Sequence, residues 1–324
     1  MTWLITGGAG YIGGHVVRQL AEAGERVVVL DDLSSGSAGR LPAGVPLVVG
    51  STLDRDLLDG AIAEHGVTGV LHIAAKKQVG ESVAEPLLYY RENVEGLRTV
   101  LDAAVAGGVR KVLFSSSAAV YGMPDTDLVT EATPCAPINP YGETKLVGEW
   151  LLAAAAKAYG LSTVSLRYFN VAGSASPELA DDGVTNLVPM VFQRLTDGLP
   201  PLVFGDDYPT PDGTCVRDYI HVEDVAAAHL AAVRRLDTAG EPVSLTLNIG
   251  RGEGVSVRGM LDAIARITGR AVEPEVTPRR PGDPARVVAA ADLIRKELDW
   301  SARHGVEEMI ESAWAGWRAR HPGL

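Results

Sequence analysis

Apolar residues fall along the first half of the chain in short, nearly continuous runs separated by longer amphipathic stretches. Thr2–Thr6 (TWLIT), Arg26–Asp31 (RVVVLD), Pro46–Val49 (PLVV), Gly69–Ala74 (GVLHIA) and Arg110–Ser115 (RKVLFS) have the length and branched content of strands. Tyr11–Ala23, Asp54–His65, Ala84–Ala106 and Tyr141–Tyr159 are long enough for helices and mostly poor in Gly and Pro. Strands apolar on both faces that alternate with helices predict a parallel sheet covered on both sides, an α/β doubly wound (Rossmann) fold. The pattern loosens after about Tyr168. Gly173–Gly183 and Gly205–Gly213 read as loops, and short elements return at Leu245–Ile249, Val257–Thr268, Ala291–Trp300 and Val306–Arg320. The division expected is 1–168 for the doubly wound domain, with 218–235 returning to it, and 169–324 mainly for a smaller C-terminal α/β substrate domain.

Composition narrows the class. A chain of 324 residues with 46% hydrophobic and 22% charged residues is an ordinary globular protein, long enough for one large or two smaller domains. The balance of 29 Lys and Arg against 41 Asp and Glu gives a formal charge of -12. That balance argues against nucleic acid or an anionic membrane surface as partner. Two cysteines, Cys135 and Cys215, make no disulfide framework, and no Cys/His spacing suggests a metal. No apolar run approaches the ~18 residues of a membrane span, and no basic segment precedes the first apolar run as in a signal peptide. The expected setting is the cytoplasm.

Chemistry concentrates at the strand ends. Gly7-Gly8-Ala9-Gly10-Tyr11-Ile12-Gly13 follows the first strand and opens the first helix, and Gly7, Gly10 and Gly13 space as GxxGxxG. Missing side chains there permit a tight turn and close approach of a pyrophosphate to the positive end of a helix. Alone this is a Gly-rich turn; its strand–turn–helix context makes it a dinucleotide site. Asp31 ends the second strand 18 residues after Gly13, where a carboxylate accepts ribose hydroxyls and repels a 2′-phosphate. Asp32-Leu33-Ser34-Ser35-Gly36 brings no cation, so NAD is predicted rather than NADP. Tyr141 and Lys145 stand four apart on one face of a helix, after the Ser115-Ser116-Ser117 cluster. Tyr is a poor base at neutral pH unless positive charge favours its phenolate, which Lys145 and an oxidised nicotinamide would supply. Ser117 is placed to bond or relay the proton of a substrate hydroxyl.

With the glycine motif, the serine cluster and YxxxK together, the chain resembles the extended short-chain dehydrogenase/reductase family. Further segments in the same order resemble the UDP-glucose 4-epimerases within it. These are GGAGYIGGH (Gly7–His15), DDLSSG (Asp31–Gly36), KQVGESV (Lys77–Val83), FSSSAAVYG (Phe114–Gly122), RYFN (Arg167–Asn170), VRDYIHVED (Val216–Asp224) and RRPGD (Arg279–Asp283). The resemblance implies a 4-epimerase in which Tyr141 removes the 4-hydroxyl proton while hydride passes to a permanently bound NAD, then returns to the opposite face of a 4-keto sugar. It implies cofactor contacts at Gly7, Gly10, Tyr11, Ile12, Gly13, Asp31, Lys77, Asn93, Tyr141, Lys145 and Tyr168. It implies a UDP-sugar pocket from Ser117, Tyr141, Asn170, Asn186, Leu187, Phe204, Arg217, Tyr219, Arg280 and Asp283. Guanidinium forks at Arg217 and Arg280 suit a diphosphate. A homodimer through the exposed faces of the Ala84–Ala106 and Tyr141–Tyr159 helices is also implied.

Some positions depart from that family. Ser51-Thr52 follow Gly50 where an Asp usually contacts adenine, which leaves those hydroxyls, the backbone or Asp54 for that role. The loop Val171–Ser176 lacks the usual Gly-Ala-His. Four residues after Asp283 stands Val287 where a bulky Tyr would crowd an N-acetyl group, so UDP-N-acetylhexosamines are expected as additional substrates. His15, His72 and His221 sit inside motifs and read as structural hydrogen bonders. A 4,6-dehydratase would need an acid–base pair after Ser117, where Ala118-Ala119 stand. A nucleotide-sugar decarboxylase would want a basic partner near the sugar, and an NAD(H)-sensing regulator commonly lacks the Tyr or Lys.

Overall fold

The computed structural model describes residues 1–280 and 282–323; Pro281, inside the RRPGD stretch, and Leu324 lie outside the described residues. The chain runs β1 (Thr2–Thr6), α1 (Tyr11–Glu22), β2 (Arg26–Asp31), β3 (Leu47–Val49), α2 (Arg55–His65), β4 (Gly69–His72), α3 (Val79–Ala84) and α4 (Pro86–Tyr89). A π-helical turn (Tyr90–Glu95) leads into α5 (Gly96–Ala106), β5 (Lys111–Ser117), α6 (Pro140–Tyr159) and β6 (Ser162–Tyr168). There follow β7 (Asn170–Ala172), α7 (Leu187–Thr196), β8 (Leu202–Phe204), β9 (Val216–His221), α8 (Val222–Thr238) and β10 (Ser244–Ile249). The last elements are β11 (Gly254–Ser256), α9 (Val257–Thr268), β12 (Glu275–Thr277), β13 (Arg286–Val287), α10 (Asp292–Leu298) and α11 (Val306–Arg320). No described helix is long and apolar enough to cross a membrane.

Seven strands form one parallel sheet in the order β10-β6-β5-β4-β1-β2-β3. Its central strands are buried on both faces, which is why they read as unbroken apolar runs. One face carries α1 and α8 over Ile5, Val29 and Leu113, and the other carries α2, α5 and α6 over Leu4, Val70 and Phe114. The doubly wound sheet predicted from the pattern is therefore present. Strand β9 pairs with β7, β11 and β13, β8 pairs with β12, and α7, α9 and α11 close a separate core around Phe192, Met260 and Trp317.

The segment expected to return, 218–235, begins in β9 of the smaller sheet; its helix α8 packs against α1, and Ile220 of β9 belongs to the same core. Two later segments also cross back: β10 pairs with β6 at the edge of the large sheet, and Ile294 and Trp300 pack into the α1–α8 core. The single helix expected over Ala84–Ala106 is broken. Pro86 starts a new helix at its first position, as proline prefers, and the π-helical turn rotates the following face. Strand β5 runs on to Ser117, two residues past the expected end, so it carries the whole serine cluster to the rim of the sheet.

Candidate active site

The first strand hands the chain to Gly7, whose φ of 73° and the 2.6 Å approach that a Cβ would make to the Ala74 backbone nitrogen admit only glycine. A Cβ on Gly13 would meet the Gly7 carbonyl oxygen at 2.0 Å, so the loop and the first turn of α1 pack backbone on backbone. Helix α1 opens at Gly10 with no side-chain cap and no acidic residue in its first turn. Its free N–H groups and positive dipole end therefore face outward for an anion. At the end of β2, Asp31 accepts from the backbone N–H of Ala9 (2.9 Å) and of Leu33 (2.9 Å), which fixes its carboxylate beside that turn. The next cation along the chain, Arg40, is committed to the Ala180 carbonyl and Asp182.

These groups line one cavity of about 330 Å³, to which Gly7, Gly10, Tyr11, Ile12, Gly13, Asp31, Lys77, Tyr141, Lys145 and Tyr168 all contribute. An uncapped helix end over a cradle that a Cβ would fill, with a carboxylate at the next strand end, fits a dinucleotide without a 2′-phosphate. Gly50, Ser51 and Thr52 line the same cavity, whereas Asp54 does not and accepts from Leu57 N–H as the cap of α2. Asn93 lies outside the lining as well. The π-helical turn aims it inward, where it accepts from Lys76 N–H (2.8 Å) and donates to the Lys76 carbonyl (3.0 Å) and Thr144 Oγ1 (3.0 Å). It holds the segment that carries Lys77 instead of lining the cavity.

Asn139 caps α6 by accepting from Gly142 N–H (2.9 Å), and Pro140 begins the helix. Tyr141 and Lys145 follow one turn apart, 9% and 3% exposed. Lys145 Nζ donates to the Ser115 carbonyl (2.7 Å) and stands 5.0 Å from the centre of the Phe114 ring and 6.0 Å from that of Tyr141. Burial pushes the Lys145 ammonium down to about 7, opposed by the charge of Glu149. Burial raises the Tyr141 phenol, and the Ser117 hydroxyl pulls it back. Ser117 Oγ accepts from Ala119 N–H (3.2 Å) and lines neither cavity.

A second cavity of about 220 Å³ is lined by Asn170, Asn186, Leu187, Phe204, Arg217, Tyr219, Arg280 and Asp283, every pocket residue named from the sequence apart from Ser117 and Tyr141. Tyr168 and Asn170, two residues apart at the end of β6 and the start of β7, line one cavity each. Arg217 donates to Asp283 Oδ1 (3.2 Å), and the Arg280 guanidinium lies 3.7 Å from the centre of the Phe204 ring. Met190, Arg194 and Cys215 line it too and went unnoticed. Leu187, Met190 and Arg194 stand at helical spacing on α7, the one signal that pointed to the last two. Val287 lines neither cavity; it packs with Leu146 and Phe169 in a small core.

The motif histidines are structural. His15 bonds the Tyr11 carbonyl and Ala175 N–H, His72 bonds Thr6 Oγ1, and His221 bonds Ser312 Oγ and Glu223 N–H. The altered loop after Asn170 is tied by His15, which accepts from Ala175 N–H (3.1 Å), and by the Tyr11 hydroxyl, which donates to the Gly173 carbonyl (2.6 Å).

Comparison with known proteins gives a consistent picture. The family described as the NAD dependent epimerase/dehydratase family matches residues 3–250. The UDP-glucose 4-epimerase of Azospirillum brasilense is 46% identical over 316 residues, 96% of this chain and 90% of that protein. A crystal structure of the UDP-glucose 4-epimerase of Stenotrophomonas maltophila, with bound NAD and formylated UDP-arabinopyranose, is 42% identical and superposes with a TM-score of 0.94 over 100% of both chains. The UDP-Glc/GlcNAc 4-epimerase of Campylobacter jejuni is 35% identical, with a TM-score of 0.86 over 98% of this chain and 99% of that one.

Proposed function

The chain belongs to the NAD dependent epimerase/dehydratase family, and we propose that it inverts carbon 4 of UDP-glucose and UDP-galactose through a 4-keto sugar, with NAD as its resident cofactor. The observation that carries the reading is a pair of cavities to which Tyr168 and Asn170, two residues apart in the chain, contribute one each. One is built for a dinucleotide and floored by Tyr141 and Lys145; the other is lined by Arg217, Arg280 and Asp283. When bound, the nicotinamide supplies a reversible two-electron oxidation at carbon 4.

The side chains supply position and proton traffic. Tyr141 accepts the proton of the 4-hydroxyl and returns it after the sugar has presented its other face. Lys145, held on the Ser115 carbonyl, stabilises the Tyr141 phenolate by its charge. Ser117 bonds the reacting hydroxyl. Arg217 and Arg280 hold the diphosphate, Asp283 accepts from the uridine ribose, and Asp31 accepts from the adenosine ribose. Lys77 and Tyr168 complete the cofactor contacts, and Asn93 supports them through Lys76. The same reading places the enzyme in the cytoplasm as a homodimer. Ala118 and Ala119 after Ser117 leave no proton shuttle for a 4,6-dehydratase.

The test is incubation of purified protein with UDP-galactose and no added cofactor, followed by analysis for UDP-glucose. Conversion supports the proposal. Free release of NAD with the sugar unchanged overturns it in favour of a regulator. We extend the proposal to UDP-N-acetylglucosamine on the likeness to the Campylobacter jejuni enzyme; Val287, buried with Leu146 and Phe169, lines neither cavity and does not carry the extension. The extension is tested by incubation with UDP-N-acetylglucosamine at high concentration, and absence of turnover there removes it.

A further inference from the structure

Helix α6 presents a third residue on the face of Tyr141 and Lys145, one more turn along. Glu149 meets the middle one of the three serines at the end of β5. Lys145 is anchored on the Ser115 carbonyl (2.7 Å), Glu149 accepts from Ser116 Oγ (2.5 Å), and Tyr141 faces Ser117. The strand end is thus a rack with one rung for each helix residue.

Glu149 is also the buried half of an ion pair, and both partners are 7% exposed. Arg167 on β6, in register with Ser116 on β5 and Asn248 on β10, donates to it twice, from Nε (2.8 Å) and Nη2 (2.5 Å). The remaining Arg167 nitrogen, Nη1, donates to the Tyr121 hydroxyl (2.8 Å), which donates in turn to Asn248 Oδ1 (2.7 Å). The network is closed, and nothing in it reaches either cavity.

The other titratable groups that face this region are kept uncharged by burial. His72 on β4 is pulled down to about 3 and His229 on α8 to about 4, while Tyr168, Tyr121 and Cys135 are pushed up. Glu131 is a further carboxylate beside the network, bound to Asn248 N–H. Burial alone disfavours the Lys145 ammonium, and Glu149 is the charge that opposes it.

We infer that Glu149 is a positioning residue: clamped between Ser116 and Arg167, its carboxylate sets both the placement of α6 on β5 and the local field in which Tyr141 takes up its proton and Lys145 holds its charge. The inference rests on the catalytic reading of that pair. Removing the carboxylate charge leaves Arg167 uncompensated and makes the surroundings more positive. That stabilises the Tyr141 phenolate and destabilises the Lys145 ammonium, so both titrations move to lower pH. Removing the Arg167 charge moves both the other way.

Turnover against pH and, separately, Tyr141 ionisation by ultraviolet difference titration would be measured on wild type, Glu149→Gln, Arg167→Gln and the double variant. Tyr141→Phe serves as the blank. Glu149→Gln is expected to shift both limbs of the profile and the tyrosine titration down by about one pH unit. Arg167→Gln is expected to shift them up, and the double variant, with the wild-type net charge, to return to the wild-type position even if its maximal rate is lower. The singles have opposite signs, so either suffices if the other does not fold. Loss of rate at an unmoved pH profile, or a double variant that does not return, overturns the inference. Absence of turnover in wild type would instead overturn the epimerase reading, and the tyrosine titration would still decide the field.

Discussion

Tyr141 and Lys145 share a buried site that disfavours the charged form of each. Burial pushes the phenol up and pulls the ammonium down to about 7. Tyr141→Phe is expected to keep its fold and its bound NAD while losing proton transfer, which contributes ~10²–10⁴-fold. Near-native turnover of the purified variant would dismiss Tyr141 as the base. Lys145→Ala should lose activity and also retain less NAD, read by absorbance of the denatured extract; unchanged NAD content would strike out only its cofactor role. Asp31 predicts that the same extract holds NAD and not NADP, because its carboxylate is fixed by two backbone N–H groups and Arg40 points elsewhere. A mainly NADP extract would overturn that assignment. These residues were legible because each is a chemical type at a required spacing. Asn93 was named by the resemblance alone, as a cofactor contact; it bonds the Lys76 backbone, and no spacing in the sequence announces a bond to main chain.

Elements place those residues, and their ends matter more than their middles. The start of α6 sets Tyr141, and its cap is one hydrogen bond, from Gly142 N–H to Asn139. Asn139→Ala is expected to cost about 1 kcal/mol in unfolding free energy, followed by denaturant titration, and to lower turnover with it. An unchanged midpoint would show that Pro140 and the packing of α6 suffice. Asn93→Leu should weaken NAD retention with the fold intact, because the Lys76 backbone loses both of its partners; full retention would make the π-helical turn irrelevant to the cofactor. Strand β6 shows why part of the fold was hidden. It is buried, yet Thr163, Ser165 and Arg167 interrupt its apolar residues, so it lacks the unbroken run of β1 or β4. Thr163 and Arg167 are tolerated because their partners lie across the sheet and on α6, Ser244 for the first and Glu149 for the second. Partners so distant in sequence cannot be read from a local pattern. The return of β10 to the large sheet was hidden for the same reason: strand order is a long-range property.

At the scale of the whole molecule, four histidines are folded as neutral groups. Burial pulls His15 and His229 down to about 4 and His72 and His221 to about 3. Their folded values lie below the unfolded one near 6.5, so the unfolded chain binds more protons at acid pH. The stability these groups contribute is present above about 6.5 and is lost as the pH falls toward 4. Asp218, raised by burial to about 6, works in the opposite direction, one group against four. Tm should therefore drop between pH 6.5 and 4, and a flat Tm there would refute the account. The surface carries one more expectation. Val83 is 63% exposed, Leu87 83% and Trp150 62%, on the adjoining helices α3, α4 and α6. Large apolar side chains gathered on one helical layer mark an interaction surface, and a second copy of the chain is the occupant the sequence resemblance implied. A two-fold pairing would bring each Trp150 onto the layer of the other chain, on the outer side of the helix whose inner face carries Tyr141 and Lys145. Sedimentation is expected to give twice the chain mass for wild type and a single chain for the variant that combines Leu87→Glu and Trp150→Glu. Because α6 is common to both faces, loss of pairing should also reduce turnover at low protein concentration. A wild type that sediments as one chain at micromolar concentration would leave this layer exposed and require another reason for its apolar surface.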